Sequence, residues 1–277
     1  MPELPEVEII SRSLNTLVTS RKILRAQLLR QRLAPDSTPA SFARNLSGAT
    51  INFVHRRGKH ILFDLDNGKT LIVHLRMSGR FSLLELEDEN PKFTHAIFHL
   101  DDQRRLVFDD QRHFGLMKIA KTSELHEAKE LKKLAPEPFS EEFTVEYLTT
   151  VIKSSNRVLK EFLLDQTKVT GVGNIYASEA MFAAGVHPAK RAGKLSKLAV
   201  SRLYTSIRAV LLEAISYADS LEIDPRNLEG NYFSANDNSS WFVYDREGEP
   251  CRRCKTPITR LKQGGRSTYY CRRCQRA

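Results

Sequence analysis

Three groups of residues in this chain have the types and spacing to do chemistry. The first is the start, Met1-Pro2-Glu3-Leu4-Pro5-Glu6. A small second residue permits removal of Met1, which would leave Pro2 with a free secondary amine. An α-amino group titrates near pH ~8, so a useful fraction is neutral at physiological pH. Such an amine can attack a carbonyl-like carbon and form a Schiff base. Glu3 is adjacent, and Glu6 follows three residues later on the same helical face. Pro2, Glu3 and Glu6 are therefore candidate catalytic residues, although proline and glutamate are also ordinary helix-start choices. The second group is Cys251-Arg252-Arg253-Cys254 and Cys271-Arg272-Arg273-Cys274, sixteen residues apart. Four thiolates at this spacing (Cys251, Cys254, Cys271 and Cys274) make a closed tetrahedral site for one structural zinc ion, with no position left for a reacting water. The third group could hold anions. His55-Arg56-Arg57-Gly58-Lys59-His60 is a basic strand turn. Thr170-Gly171-Val172-Gly173-Asn174 places two glycines before a helix start, where backbone can approach a phosphate.

These groups need elements to position them. The chain has 277 residues, 41% hydrophobic and 27% charged, enough for two domains with sizeable cores. No apolar run is long enough to span a bilayer, and the acidic start lacks a signal pattern, so a cytosolic protein is expected. The net charge is +10, and residues 251–277 hold nine Lys or Arg with no Asp or Glu. Nearly all the excess charge thus sits on the tail, and a localised basic surface suits a polyanion, most often nucleic acid. All four cysteines lie there too, which in a cytosolic chain favours metal over disulfides.

Helical periodicity runs from Glu6 to Leu17. Eight short β segments follow: Ile23–Leu29, Thr50–His55, His60–Asp64, Thr70–Leu75, Arg80–Leu84, Ala96–Leu100, Arg105–Phe108 and Leu116–Ala120, with a short helix at Thr38–Asn45 and a hairpin turn at Asp66-Asn67-Gly68. Their number and spacing predict a sandwich or barrel. Two prolines in Leu134–Phe139 mark a linker. Helices are predicted over Phe143–Ile152, Arg157–Leu164, Ile175–Ala184 and Leu195–Tyr217. Residues 222–250 read as loop-rich, and the tail as a β-hairpin finger turning at Gly264-Gly265. The organisation is α+β: an N-terminal helix with a β-sandwich over 1–133, a linker over 134–140, a helical domain over 141–246 and a zinc finger over 247–277.

The string Pro2-Glu3-Leu4-Pro5-Glu6-Val7-Glu8 resembles the start of the formamidopyrimidine-DNA glycosylases, bacterial base-excision repair enzymes, and the likeness recurs along nearly the whole chain. It implies that Pro2 is the nucleophile at C1′ of a damaged nucleotide, that Glu3 transfers protons at the sugar, with Glu6 beside it, and that Lys59 contacts the phosphate next to the lesion and assists catalysis. Thr170–Glu179 resembles the family's helix–two-turn–helix element, which makes Asn174 a phosphate ligand. Lys160 matches a lysine near the damaged nucleotide, where the residue pattern alone suggests a surface lysine. Met77 in His74-Leu75-Arg76-Met77-Ser78-Gly79 matches the methionine that fills the void left by an extruded nucleotide. Arg112 and Phe114 in Asp110–Gly115 match the arginine facing the orphaned base and the aromatic wedge. Inserted side chains of this kind offset the cost of extrusion, a few kcal/mol. His74 is a candidate phosphate contact, and Arg266 matches the finger arginine that grips phosphates. Arginine donates to cytosine's O2 and N3, so cytosine is the expected opposite base.

The implied activity is excision of oxidised purines (8-oxoguanine and formamidopyrimidines) from duplex DNA, with strand cleavage at the resulting abasic site by β,δ-elimination. A monomer in the bacterial cytosol, associated with the nucleoid, is expected, with no nucleotide cofactor. Three departures from the family pattern stand out. His113 replaces a second arginine. Asp245 replaces a usual glycine. The stretch from Ser216 to Trp241 lacks the glycine- and threonine-rich start of the base-covering loop and adds Asp224 and Glu229. Alternatives are an oxidised-pyrimidine enzyme of the endonuclease VIII type, a catalytically silent binder of damaged DNA, and a zinc-containing DNA-binding regulator.

Overall fold

Short apolar segments, some alternating and some buried on both faces, build two four-stranded antiparallel sheets in the first half of the chain. A computed structural model describes residues 1–218, 224–228 and 241–276. It divides into two units: residues 1–132 with the described part of 217–232, and residues 133–216 with the described part of 233–277. In the first unit, α1 (Leu4–Val18) leads into β1 (Ile23–Leu28), α2 (Pro39–Leu46), β2 (Ile51–Arg57), β3 (His60–Leu65), β4 (Lys69–His74), β5 (Gly79–Glu85), β6 (Thr94–Leu100), β7 (Arg104–Asp110) and β8 (Leu116–Lys121). The sheets are ordered β1-β6-β7-β5 and β2-β3-β4-β8. Phe98, Leu106 and Phe108 of one sheet share a single core with Val54, Phe63 and Val73 of the other. Phe81 sits edge-on to Phe63 at 5.6 Å and to Phe108 at 5.2 Å, so one ring joins the two layers.

Helix α1 buries Val7, Ile10, Leu14 and Val18 in that core. It begins at Leu4, earlier than periodicity suggests, because Glu3 acts as its N-cap. Its polar side is tied to β2: Asn15 Oδ1 accepts from the Val54 N–H at 2.8 Å, and Glu8 pairs with Arg56 at 2.5 Å. The start of the chain is thereby fixed against the strand that leads to Lys59. The expected turn at Asp66-Asn67-Gly68 joins β3 to β4, with Gly68 at a φ of +72°.

Residues 224–228, read from sequence as part of a loop in the helical domain, return to the first unit. Leu228 N–H donates to Phe81 O at 2.8 Å and Leu83 N–H to Pro225 O at 2.9 Å. The reason is that β5 ends its sheet and needs partners for its outer backbone groups, while Leu228 gains complete burial.

The second unit holds α3 (Val145–Lys153), α4 (Leu159–Leu164), α5 (Asn174–Ala184), α6 (Lys197–Ala218) and the hairpin of β9 (Ile258–Gln263) and β10 (Arg266–Cys271). Thr144 caps α3 by accepting from the Tyr147 N–H at 3.0 Å. Helix α5 is buried on nearly every side and stops at Gly185, which takes the left-handed conformation.

Phe81→Ala removes the ring shared by both sheets and is expected to cost about 3–5 kcal/mol, read as a fall in the urea midpoint. Phe53→Ser, on a half-exposed ring of β2, is expected to stay within about 0.5 kcal/mol.

Candidate active site and nucleic-acid interface

Pro2, Glu3 and Glu6 are all buried, whereas Met1 is 41% exposed. Glu6 Oε2 accepts the Glu3 N–H at 2.8 Å in a capping box. The Glu6 carboxylate is therefore turned back onto the chain, where it fixes the direction in which residues 1–3 leave the helix. Lys59 follows Gly58 in a two-residue turn between β2 and β3. Gly58 has a φ of +59°, the first-position conformation of a type II′ turn, and Lys59 is only 5% exposed.

His74 ends β4. Its Nδ1 accepts from the Arg76 N–H at 3.0 Å, and its ring meets His60 edge-on at 4.7 Å. Burial, reinforced by His60, Arg76 and Lys59, holds the His74 imidazole well below its usual range. Burial likewise brings His60 down to about 4. Both rings are therefore held in the neutral form at pH 7. The two line a cavity of about 210 Å³ together with Asp36, Lys118 and Glu130.

Met77, Arg112 and Phe114 project from the turn between β4 and β5 and the turn between β7 and β8. Met77 is 46% and Phe114 44% exposed, and the Arg112 guanidinium lies 5.4 Å from the Phe114 ring centre. His113, where the resemblance implies a second arginine, has a φ of +58° and shares a 2.9 Å hydrogen bond between its Nδ1 and His95 Nε2. One edge of its ring is thus occupied inside the protein.

In the second unit, Lys160 is fully buried, so the surface location suggested by its local pattern is overturned. Its ammonium donates to Asn174 O at 2.9 Å and Ser178 Oγ at 2.7 Å. In this structure it holds the start of α5 together instead of reaching outward. Asn174 Nδ2 donates to Ser267 O at 3.0 Å, linking the double-glycine turn to the finger. Gly171 takes a φ of +81°, and Gly173 caps α5 without a side chain. Arg266 is exposed at the first position of β10, beside the Gly264-Gly265 turn.

The four cysteine Sγ atoms lie within 4.8 Å of one another. Cys251 and Cys274 are 3.9 Å apart, and Cys254 and Cys271 3.4 Å. A tetrahedral ZnS4 centre with bonds of about 2.3 Å has edges of roughly 3.8 Å, so the donor set fits zinc. Burial pushes the Cys274 thiol up to about 12, and a bound cation is what keeps such a ligand deprotonated.

Sequence reasoning gave no role to Glu179, which accepts the N–H groups of Phe242, Val243 and Tyr244 at 2.9, 2.9 and 2.8 Å. Burial raises its pKa against those three bonds. The only signal was a carboxylate inside an otherwise apolar helix. Asp245 has a φ of +56°, which explains why glycine suits that position, and it accepts from the Tyr269 hydroxyl at 2.9 Å. In the altered stretch, Ser216–Ala218 complete α6, and exposed Asp224 accepts from the Arg226 N–H at 2.8 Å. Asp219, Ser220, Ile223, Glu229 and Gly230 lie outside the described residues.

A mixed α/β architecture with a sandwich, a double-glycine helical turn and a four-cysteine finger defines a class of zinc-containing DNA-binding proteins. Within it, residues 1–117 match the formamidopyrimidine-DNA glycosylase N-terminal domain, residues 134–224 the H2TH domain of the same proteins, and residues 248–277 the zinc finger found in FPG and IleRS. Relatives called formamidopyrimidine-DNA glycosylase include one from Listeria innocua, 40% identical with all of both chains covered, and one from Ruegeria pomeroyi, 42% identical with the same coverage. Among solved structures, the Lactococcus lactis enzyme bound to DNA with an oxidised pyrimidine superposes with a TM-score of 0.90 at 31% identity, all of both chains covered. Its complex with abasic-site DNA gives 0.90 at 31% identity, covering 99% of this chain and 100% of that one. The chain belongs to the formamidopyrimidine-DNA glycosylase family. Among the described residues no helix is long and apolar enough to cross a membrane.

Unfolded histidines titrate near 6.5. The neutral His60 and His74 rings therefore contribute stability that is complete above about pH 6.5 and is lost as pH falls toward 4, because the unfolded chain takes up protons first. For His60 the loss amounts to about 3 kcal/mol at the acid end. Urea midpoints measured from pH 7 to 4.5 should fall accordingly, and less steeply in His60→Leu. Separately, Cys271→Ser is expected to release the zinc, detected with a chromogenic chelator, and to weaken duplex binding at least tenfold.

Proposed function

We propose that this chain is a bifunctional enzyme that excises oxidised purines from duplex DNA and then cleaves the strand. The observation that carries the proposal is the buried start of α1, where a capping box fixes the residues on either side of the Pro2–Glu3 bond. With Met1 removed, the Pro2 nitrogen attacks C1′ of the damaged nucleotide. The glycosidic bond breaks, and the base leaves with a proton. Glu3 serves proton transfer at the opening sugar, and Glu6 is the positioning residue that holds Glu3. The resulting imine draws electrons from the neighbouring carbons. Loss of a C2′ proton expels the 3′ phosphate, and a second elimination expels the 5′ phosphate. Lys59, at the adjacent hairpin, stabilises phosphate charge. The zinc ion would be held by Cys251, Cys254, Cys271 and Cys274 and supplies only rigidity to the finger that carries Arg266.

Met77, Arg112 and Phe114 fill the space of the extruded nucleotide. The exposure of Met77 and Phe114 supports this role, since apolar surface left in solvent gains burial when DNA arrives. Lys160 acts by holding the turn that presents Asn174. The enzyme works as a monomer in the bacterial cytosol, at the nucleoid. A second reading, action on oxidised pyrimidines, is supported by the Lactococcus lactis complex, whose DNA carries such a base.

The test is borohydride trapping with an untagged N-terminus on duplexes bearing 8-oxoguanine, a formamidopyrimidine, thymine glycol or an abasic site. Covalent bands with the two purine lesions opposite cytosine, abolished in Pro2→Gly, are expected. Bands with thymine glycol alone would establish the second reading. Binding without any band, or an intact mass that retains Met1, would overturn the catalytic role of Pro2.

A further inference from the structure

The side chains proposed to probe the duplex have little packing of their own. Met77 and Phe114 are nearly half exposed, and the Phe114 ring has the guanidinium groups of Arg32 and Arg112 at 5.9 and 5.4 Å, so much of their direction comes from the backbone beneath them. That backbone converges on one buried carboxylate. Asp110, the last residue of β7, is fully buried. Its Oδ1 accepts from the Ser78 hydroxyl and, at 3.2 Å, from the Arg112 N–H. Its Oδ2 accepts from the Gly115 N–H at 2.6 Å. Ser78 Oγ also accepts from the Arg112 N–H at 3.0 Å, and Asp110 O accepts from the His113 N–H at 3.2 Å. Ser78 adjoins Met77, while Arg112 and Gly115 bracket His113 and Phe114. One carboxylate therefore bonds both turns that carry the probing residues.

The approach is close enough to require glycine on both sides. A Cβ on Gly79 would lie 2.5 Å from Leu75 O and 2.8 Å from the Phe108 ring. One on Gly115 would lie 2.8 Å from the same ring and 3.2 Å from Asp110 Oδ2. The core ring of Phe108 thus forms the floor, and Asp110 is the tie above it. A buried carboxylate saturated by hydroxyl and backbone donors is stiff, because releasing any donor leaves charge unsatisfied in a poorly solvated site.

We propose that Asp110 is a positioning residue for DNA probing: it sets Met77, Arg112 and Phe114 in one register so that they enter the duplex together. This rests on the assignment of those three residues to the vacated space. Asp110→Asn tests it. In either orientation the amide turns a donor toward at least one backbone N–H of the second turn. Ser78→Ala loosens the first turn while leaving Oδ2 on Gly115.

Three readouts separate the outcomes. The first is single-turnover excision from a damaged duplex. The second is fluorescence of 2-aminopurine placed opposite the lesion, which reports insertion beside the orphaned base. The third is borohydride trapping on a single-stranded abasic oligonucleotide, which has no vacated space to fill. Asp110→Asn is expected to slow duplex excision at least tenfold and suppress the 2-aminopurine change, with Ser78→Ala intermediate and trapping on the single strand within twofold of the parent. Equal losses on both substrates would make Asp110 a plain stability residue and overturn the proposal, as would unchanged duplex excision. If the parent protein inserts nothing beside 2-aminopurine while still trapping abasic DNA, the assignment of Met77, Arg112 and Phe114 fails instead.

Discussion

The hydrogen bond from the Glu3 N–H to the Glu6 carboxylate is the interaction on which the proposed chemistry depends. Chain ends ordinarily fray, and a nucleophile on a frayed end would sample its geometry too rarely to react efficiently. Here the end is held by a reciprocal cap, and the cap is held by a helix whose apolar side is sunk in the sandwich core. Asn15 and Glu8 add polar ties to β2. The large core therefore does more than stabilise: it gives the first residues the rigidity of an internal element.

The same logic recurs wherever a polar group is buried. Lys160 is bonded within the double-glycine turn, Glu179 on three consecutive backbone N–H groups, and Asp110 across two turns. Each buried charge costs desolvation free energy, offset only when its donors or acceptors are complete. Such groups tolerate one arrangement and penalise others. Lys160 and Asp110 lie next to segments proposed to meet DNA, and none of the three is itself exposed. Precision at the surface is supplied from below it.

Much of the scaffold was legible in the sequence because its rules are local. Eight short apolar segments, several of them alternating and separated by Asp, Asn, Gly or Pro, marked the sandwich strands; the strict period fails in β4, β5 and β7, which bury residues on both faces. The paired Cys-x-x-Cys motifs marked the finger because four ligands must meet at one point. What stayed hidden is non-local. Nothing in residues 224–228 shows that an edge strand far earlier in the chain needs partners. Lys160 looks like a surface residue because its acceptors, Asn174 O and Ser178 Oγ, come from the following helix. Asp110 lies in the same stretch as Arg112 and Phe114, whose chemistry is visible in the side chain alone. The importance of Asp110 appears only when the turn that follows β4 is placed beside the one that follows β7.

Charge and geometry are divided between different parts of the chain. Nine of the basic residues lie after position 250, with no acid among them, so a large share of any salt-dependent attraction to phosphates falls on the finger. The probing turns of the first unit work differently. Arg112 lies over Phe114, and His113 is joined to His95, whose ring is itself held in the neutral form by burial. Non-specific attraction adds equally to every sequence and cannot discriminate. Discrimination is therefore left to the contacts proposed for Met77, Arg112 and Phe114, which depend on the base they meet.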